Sequence, residues 1–245
     1  VYNAATVFSN LTHGKAMFKH TEILDNTKHR TLKLKPVNNF SFARQQSFAP
    51  INYTEMMIAA RDYAIVFPKT SDDTQNPLPV VLLGLTGTNR FVDEQGHWTS
   101  RYIPAHFRRY PFILGSSPQN NGFSVVIDTD SEYLSNDQGE ALFDSEGKQT
   151  ETLAKVIEFL GLFQKEAALT MELVKTLRAS GVLMEQQIQQ QVNGENQTVI
   201  TGFEAIDQAK LNVLDSNLFI QWRNQGLLPL IYAHLSSLEN IRQLI

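Results

Sequence analysis

Residues 151–179 read ETLAKVIEFLGLFQKEAALTMELVKTLRA, and their periodicity decides what kind of fold the chain can adopt. Leu153, Leu160, Ala167 and Val174 recur every seven residues, with Val156, Phe163, Thr170 and Leu177 as a second seam. The first seam is wholly apolar and the second breaks only at Thr170. The spacing therefore predicts a helix about 43 Å long at about 1.5 Å per residue, with one face turned to a core or a partner. Gly181 is placed to stop it.

The chain on either side carries other signals. Upstream, Pro79-Val-Val-Leu-Leu-Gly-Leu85 is a near-continuous apolar run, the mark of a strand buried on both faces. Thr31–Pro36 alternates leucine with lysine or threonine, and Tyr63–Phe67, Phe112–Gly115 and Phe123–Ile127 are further short strands. Val80–Trp98 reads as a meander of antiparallel strands. Thr54–Arg61 reads as a short helix capped by Thr54, with Met57 and Ile58 inside. Asp128–Gly147 is acidic and rich in turn formers, a hinge or lid by composition. Downstream, Asn193-Gly194 is a hairpin turn signal between Met184–Val192 and Thr198–Thr201. Asp215 can cap a helix ending near Gly226, and Pro229 opens a last helix towards Ile245. The fold expected is α+β, with a mainly antiparallel sheet in the N-terminal half and a helical C-terminal half containing one β-hairpin. The divisions expected are a frayed or divergent segment 1–19, a β-rich region 20–147, and a helical region 148–245 with its hairpin near 184–203.

Composition bounds function more than it names it. The chain has 245 residues, enough to bury a core without staples. Twenty-five acids against 21 bases give a net charge of −4, which argues against a generic nucleic-acid binder. With no cysteine, disulfides, thiolate metal sites and cysteine nucleophiles are excluded. No apolar run is long enough for a membrane helix. Val1–Lys19 lacks the basic start and apolar stretch of a signal peptide, so the residues by themselves favour the cytoplasm.

The chemical motifs are few. There is no glycine-rich phosphate loop, dinucleotide fingerprint or nucleophile elbow. His20-x-Glu22, with His97 or His106, has the spacing of a facial metal triad, but such spacing arises by chance, and neither a metal nor another cofactor is expected. Arg101–Pro111 is the densest stretch. Ile103, Phe107 and Tyr110 share one helical face, with Arg108 and Arg109 on the other and His106 at the border. The candidate ligand-binding residues are Arg101, Tyr102, His106, Arg108 and Arg109, whose guanidinium groups offer bidentate donors to a carboxylate, phosphate or sulfate. The same arginines could instead clamp two halves of the protein together. His234 is the remaining candidate, with a buried, satisfied histidine as the alternative.

A longer pattern runs through the chain in order. Ala60-Arg-Asp-Tyr-Ala-Ile-Val-Phe67, Phe91-Val-Asp-Glu-Gln-Gly-His-Trp98, Arg101-Tyr-Ile-Pro104, Arg108-Arg-Tyr-Pro-Phe112 and Ile231-Tyr-Ala-His-Leu-Ser-Ser-Leu238 together resemble the bacterial SapC family. The resemblance runs from about residue 20 to the end. It implies association with the cell surface layer or with an outer-membrane uptake system of the TonB-dependent receptor kind, and brings no catalytic residues. The function expected is a non-enzymatic accessory or interaction protein with a protein partner and no nucleic acid. The alternative is a small-ligand or anion binder, or an enzyme, using Arg101–Tyr110.

Overall fold

The computed structural model describes residues 17–70, 76–85, 87–116, 122–192 and 195–245. Strands β1 (Thr21–Ile23) and β2 (Lys33–Leu34) lead through a 3-10 turn at Ser41–Ala43 to β3 (Phe48–Pro50). A second 3-10 turn, Tyr53–Glu55, runs into α1 (Met56–Ala59). There follow β4 (Ala64–Pro68), β5 (Val80–Leu82), α2 (Ala105–Arg108), β6 (Phe112–Ser116), β7 (Phe123–Asp128), β8 (Leu134–Ser135) and β9 (Glu140–Ala141). The C-terminal half holds α3 (Glu151–Ala179), β10 (Leu183–Val192), β11 (Glu195–Ile206), α4 (Gln208–Asn212), α5 (Ser216–Asn224) and α6 (Leu227–Ser237), with a 3-10 tail at Leu238–Gln243. The class is α+β, as the sequence implied.

Three antiparallel sheets form. The largest has the order β10-β11-β4-β5-β3, and the smaller ones are β1-β7-β6 and β8-β2-β9. The C-terminal hairpin thus extends the N-terminal sheet, where Phe203 pairs with Pro68 and Glu204 with Phe67. Arg178 fastens this junction. Its Nη2 donates to Glu204 Oε2 and to the Pro68 carbonyl, both at 2.7 Å. The principal core joins Tyr63, Ile65 and Phe67 of the sheet region to Val174 and Leu177 of α3, Trp222 of α5 and Ile231 of α6.

The long helix has the expected bounds. Thr150 caps it, its Oγ1 accepting from the Leu153 N–H and donating to the Ala141 carbonyl. Leu153, Leu160, Ala167 and Val174 are all buried, as are Phe163, Thr170 and Leu177 of the second seam. Asp215 caps α5 through two backbone amides.

Several local expectations are corrected. Residues 80–98 do not form a meander. β5 pairs with β3 and β4, and beyond it, among the described residues of this stretch, the one bridge is Val92–Trp98. The carboxylate of Asp93 accepts from the amides of Gln95 and His97, so it winds the tip into an Asx turn instead of a ladder. In α1 the inward residues are Met56 and Ala59, while Met57 and Ile58 face water. The cap there is Asn52, ahead of Thr54. Asp128–Gly147 is not a free lid, because β8 and β9 both pair with β2. The turn residues 193–194 lie outside the described residues.

Leu160 belongs to a cluster with Phe112, Ile127, Leu142, Phe143 and Leu153. Leu160→Ala is expected to cost about 2–5 kcal/mol through the cavity it leaves. Leu162→Ala, on the exposed face of the same helix, should cost under about 1 kcal/mol. Urea denaturation of the two variants measures the contrast.

Candidate functional site

The Arg101–Tyr110 stretch folds around a buried carboxylate on another segment, Glu55. Pro104 sets the entry to α2, a single turn of helix, and Phe107 and Tyr110 anchor it in the core. Glu55 Oε1 accepts from the Tyr102 hydroxyl and from the Ala105 N–H, both at 2.8 Å. Its other oxygen accepts from the Asn52 N–H at 2.9 Å. Burial pushes the Glu55 carboxyl above its ordinary range, against the pull of these three donors and the charge of Arg108. Burial also raises the Tyr102 hydroxyl, and the neighbouring Glu55 charge adds to the rise.

The two arginines of α2 part company. Arg108 is exposed, lies 5.7 Å from the Tyr102 ring centre and 5.4 Å from that of Phe159, and donates to the Ile103 carbonyl. Its Nη2 also donates to the Tyr102 hydroxyl at 3.2 Å. Arg109 turns inward, with its guanidinium 4.8 Å from the Phe163 ring centre on α3, and its Nη2 donates to His106 Nδ1 at 3.1 Å. The sequence placed Arg109 on an outward face, where it would fill no core. In a single turn of helix, however, a long side chain can fold under toward the neighbouring helix. Arg109 is half-buried by area, yet desolvation lowers it to about 10, opposed by the Glu55 charge. Its Nε has no hydrogen-bond partner. His106 is desolvated too, and with the Arg109 charge beside it is held neutral, well below the usual histidine value.

The remaining candidates lie elsewhere. Arg101 points to a separate cleft. His234 is fully buried on α6, and its Nε2 accepts from the Ile206 N–H at 3.0 Å, so Nδ1 carries the proton. Nδ1 has no partner at hydrogen-bond geometry. Burial lowers His234 to about 4, with the Ile65 backbone opposing it only in part. The residues of the facial-triad spacing take different partners: His20 meets Asp130, Glu22 meets Lys28 and His97 meets Asp93. Among the described residues, no group of three histidine or acidic side chains is placed to hold a metal.

Glu55 was missed by the sequence reading. The signal was available: Asn52-x-x-Glu55 has the spacing of a capping box, in which the acid reaches back to the cap's own N–H.

A concavity of about 880 Å³ contains none of these residues. It is an open and mainly apolar groove in which Leu24, Leu114, Phe123 and Val125 of the three-stranded sheet region face Ile157 and Gly161 of α3.

The segments that build both features fall within one family match. The SapC family model covers residues 24–244, nearly the whole chain. The chain belongs to the SapC family. Neither a curated protein nor a solved structure matches it. The SapC match therefore takes in the Glu55 cluster, the groove and His234 together, and assigns a chemical role to none of them.

Two predictions follow from the charges. Arg109→Ala should cost about 2 kcal/mol, between an exposed pair and a broken buried one, because it empties the space over the Phe163 ring and leaves His106 Nδ1 without its donor, whereas exposed Arg108→Ala should stay within about 1 kcal/mol. Chemical denaturation at pH 7 reads both. For His234, the folded value lies below the unfolded one, so its contribution is complete above about 6.5 and is lost as pH falls towards 4. Glu55, whose value is raised, works in the opposite sense and stabilises on acidification. The comparison must therefore be made between proteins that both keep it. From pH 7 to 4.5 the wild type should lose about 2–3 kcal/mol more than His234→Gln, and equal losses would count against a neutral buried imidazole.

Proposed function

We propose that this SapC-family chain is a non-enzymatic accessory or interaction protein, working at the bacterial surface layer or beside an outer-membrane uptake system. The observation that supports this reading is the groove along α3. Its walls are mostly apolar, and Phe123 at its edge is 64% exposed. Gly161 lies in the middle of a long helix, where glycine costs about 0.5–1 kcal/mol relative to alanine. Among the described residues, and apart from the helix's own backbone, no atom lies within 4 Å of where a Cβ would stand, so no contact among them accounts for the glycine. A bare backbone there suits the close approach of a partner's side chains.

The polar cluster around Glu55 fits this reading. Its donors and acceptors are directed at one another across chain segments, and do not converge on a cavity where a substrate could sit. The association with a surface layer or receptor system comes from the family resemblance.

The test is capture from the native bacterium, with bound proteins identified by mass spectrometry. The comparison is between wild type and the double variant Phe123→Asp/Gly161→Leu, both checked for an unchanged thermal melt. An envelope protein retained by the wild type and lost by the variant is the expected outcome. Identical protein sets would remove the groove from the argument.

A further inference from the structure

Arg101 was expected to act with Arg108 and Arg109, but it faces a different cleft and has a different companion. That cleft, of about 350 Å³, is lined by Asp62, Arg90, Phe91, Ser100, Arg101 and Gln243, among others. Arg90 and Arg101 form no ion pair with any described residue. Arg90 Nη1 is steadied by the Leu244 carbonyl at 3.3 Å, and the Arg101 guanidinium has no hydrogen-bond partner among the described residues. Two guanidinium groups without an acid partner on one small concavity are unusual in a chain with an acidic excess.

The third charged group is Asp62. Its Oδ2 accepts from the Arg101 N–H at 3.2 Å and from Ser100 Oγ at 3.4 Å, which fixes the carboxylate at the wall. Oδ1 makes no such bond among the described residues and is available as an acceptor. Gln243 donates to Asn240 Oδ1 through Nε2, so its own carbonyl oxygen is a second acceptor. Phe91, held edge-on against Tyr63 with ring centres 4.8 Å apart, gives one apolar wall.

We propose that this cleft binds a small hydroxylated monocarboxylate. Two arginines and one aspartate leave one positive charge, which one carboxylate neutralises. Arginine pairs match the planar oxygen pair of a carboxylate. The acceptors of Asp62 and Gln243 call for a ligand that also brings hydroxyl donors. A second ligand charge would meet Asp62 unfavourably, which sets phosphate dianion apart from the preferred class. The site is distinct from the α3 groove and stands or falls independently of it.

The test uses titration calorimetry with D-gluconate, and with D-glucitol, acetate and inorganic phosphate as comparators. Saturable gluconate binding, with glucitol silent and acetate and phosphate weaker, is expected. Arg101→Gln should weaken gluconate about tenfold or more, as loss of a charge-assisted pair does, without shifting the melt, because that side chain holds nothing in the fold. Asp62→Asn should narrow the preference for gluconate over acetate and phosphate. The proposal is overturned by absent gluconate binding, by binding that Arg101→Gln leaves unchanged, or by phosphate binding tighter than gluconate in the wild type.

Discussion

The carboxylate of Glu55 is the group on which the rest of the arrangement depends. It is 4% exposed, and each of its oxygens is engaged by donors from separate stretches of chain. One donor lies in its own turn, at Asn52, and two lie in the Tyr102–Ala105 stretch. The same turn is tied to α3, because the Asn52 side-chain amide donates to the Phe163 carbonyl and the Tyr53 N–H donates to Thr170 Oγ1 at 2.9 Å. A helix from the C-terminal half and a loop from the N-terminal half are thereby registered on one acid.

Charge burial explains why this registration is specific. A buried carboxylate is costly unless donors replace the water it loses. Glu55 recovers its three donors only if the Asn52–Glu55 turn and Tyr102–Ala105 sit in one relative position, and the bonds of Asn52 and Tyr53 to Phe163 and Thr170 set α3 against the same turn. Arg109 imposes the same condition from the other side, since its guanidinium must find both the Phe163 face and His106. A displaced packing would leave two opposite charges desolvated and unsatisfied, a larger penalty than a shifted apolar contact brings.

What was legible in the sequence follows the range of the interaction. α3 was readable because a heptad seam and a stopping glycine are both local. The α5 cap at Asp215 was readable for the same reason. Arg109 was not, because its direction depends on Phe163, far along the chain, and one helical turn gives no periodicity to weigh. The joining of β11 to β4 was equally hidden: the hairpin signal names the partner on one edge of β11, and nothing local names the neighbour on its other edge. Thr170 shows the boundary well. It broke the second seam as a polar residue, yet it is fully buried, because its hydroxyl donates to the Glu166 carbonyl and accepts from Tyr53. Glu55 lay between these cases, with a local signature and long-range consequences.

The inward cluster and the outward cleft share one short piece of backbone. Tyr102 is fixed at both ends, its hydroxyl on Glu55 and its carbonyl receiving the Trp98 Nε1–H at 3.1 Å and the Tyr63 hydroxyl. Burial raises Tyr63 to about 12, so that hydroxyl keeps its proton and remains a donor across the physiological range. Arg101, one residue earlier, is therefore presented from a backbone held by its own N–H on Asp62 and by the Tyr102 carbonyl, while its side chain is exposed. An anion bound there would order that side chain against a frame already set, and the entropic cost would fall on one residue and not on a loop. The Arg101 N–H on Asp62 and the Tyr102 hydroxyl on Glu55 hold two neighbouring residues of one short segment, one at the outward cleft and one at the inward cluster.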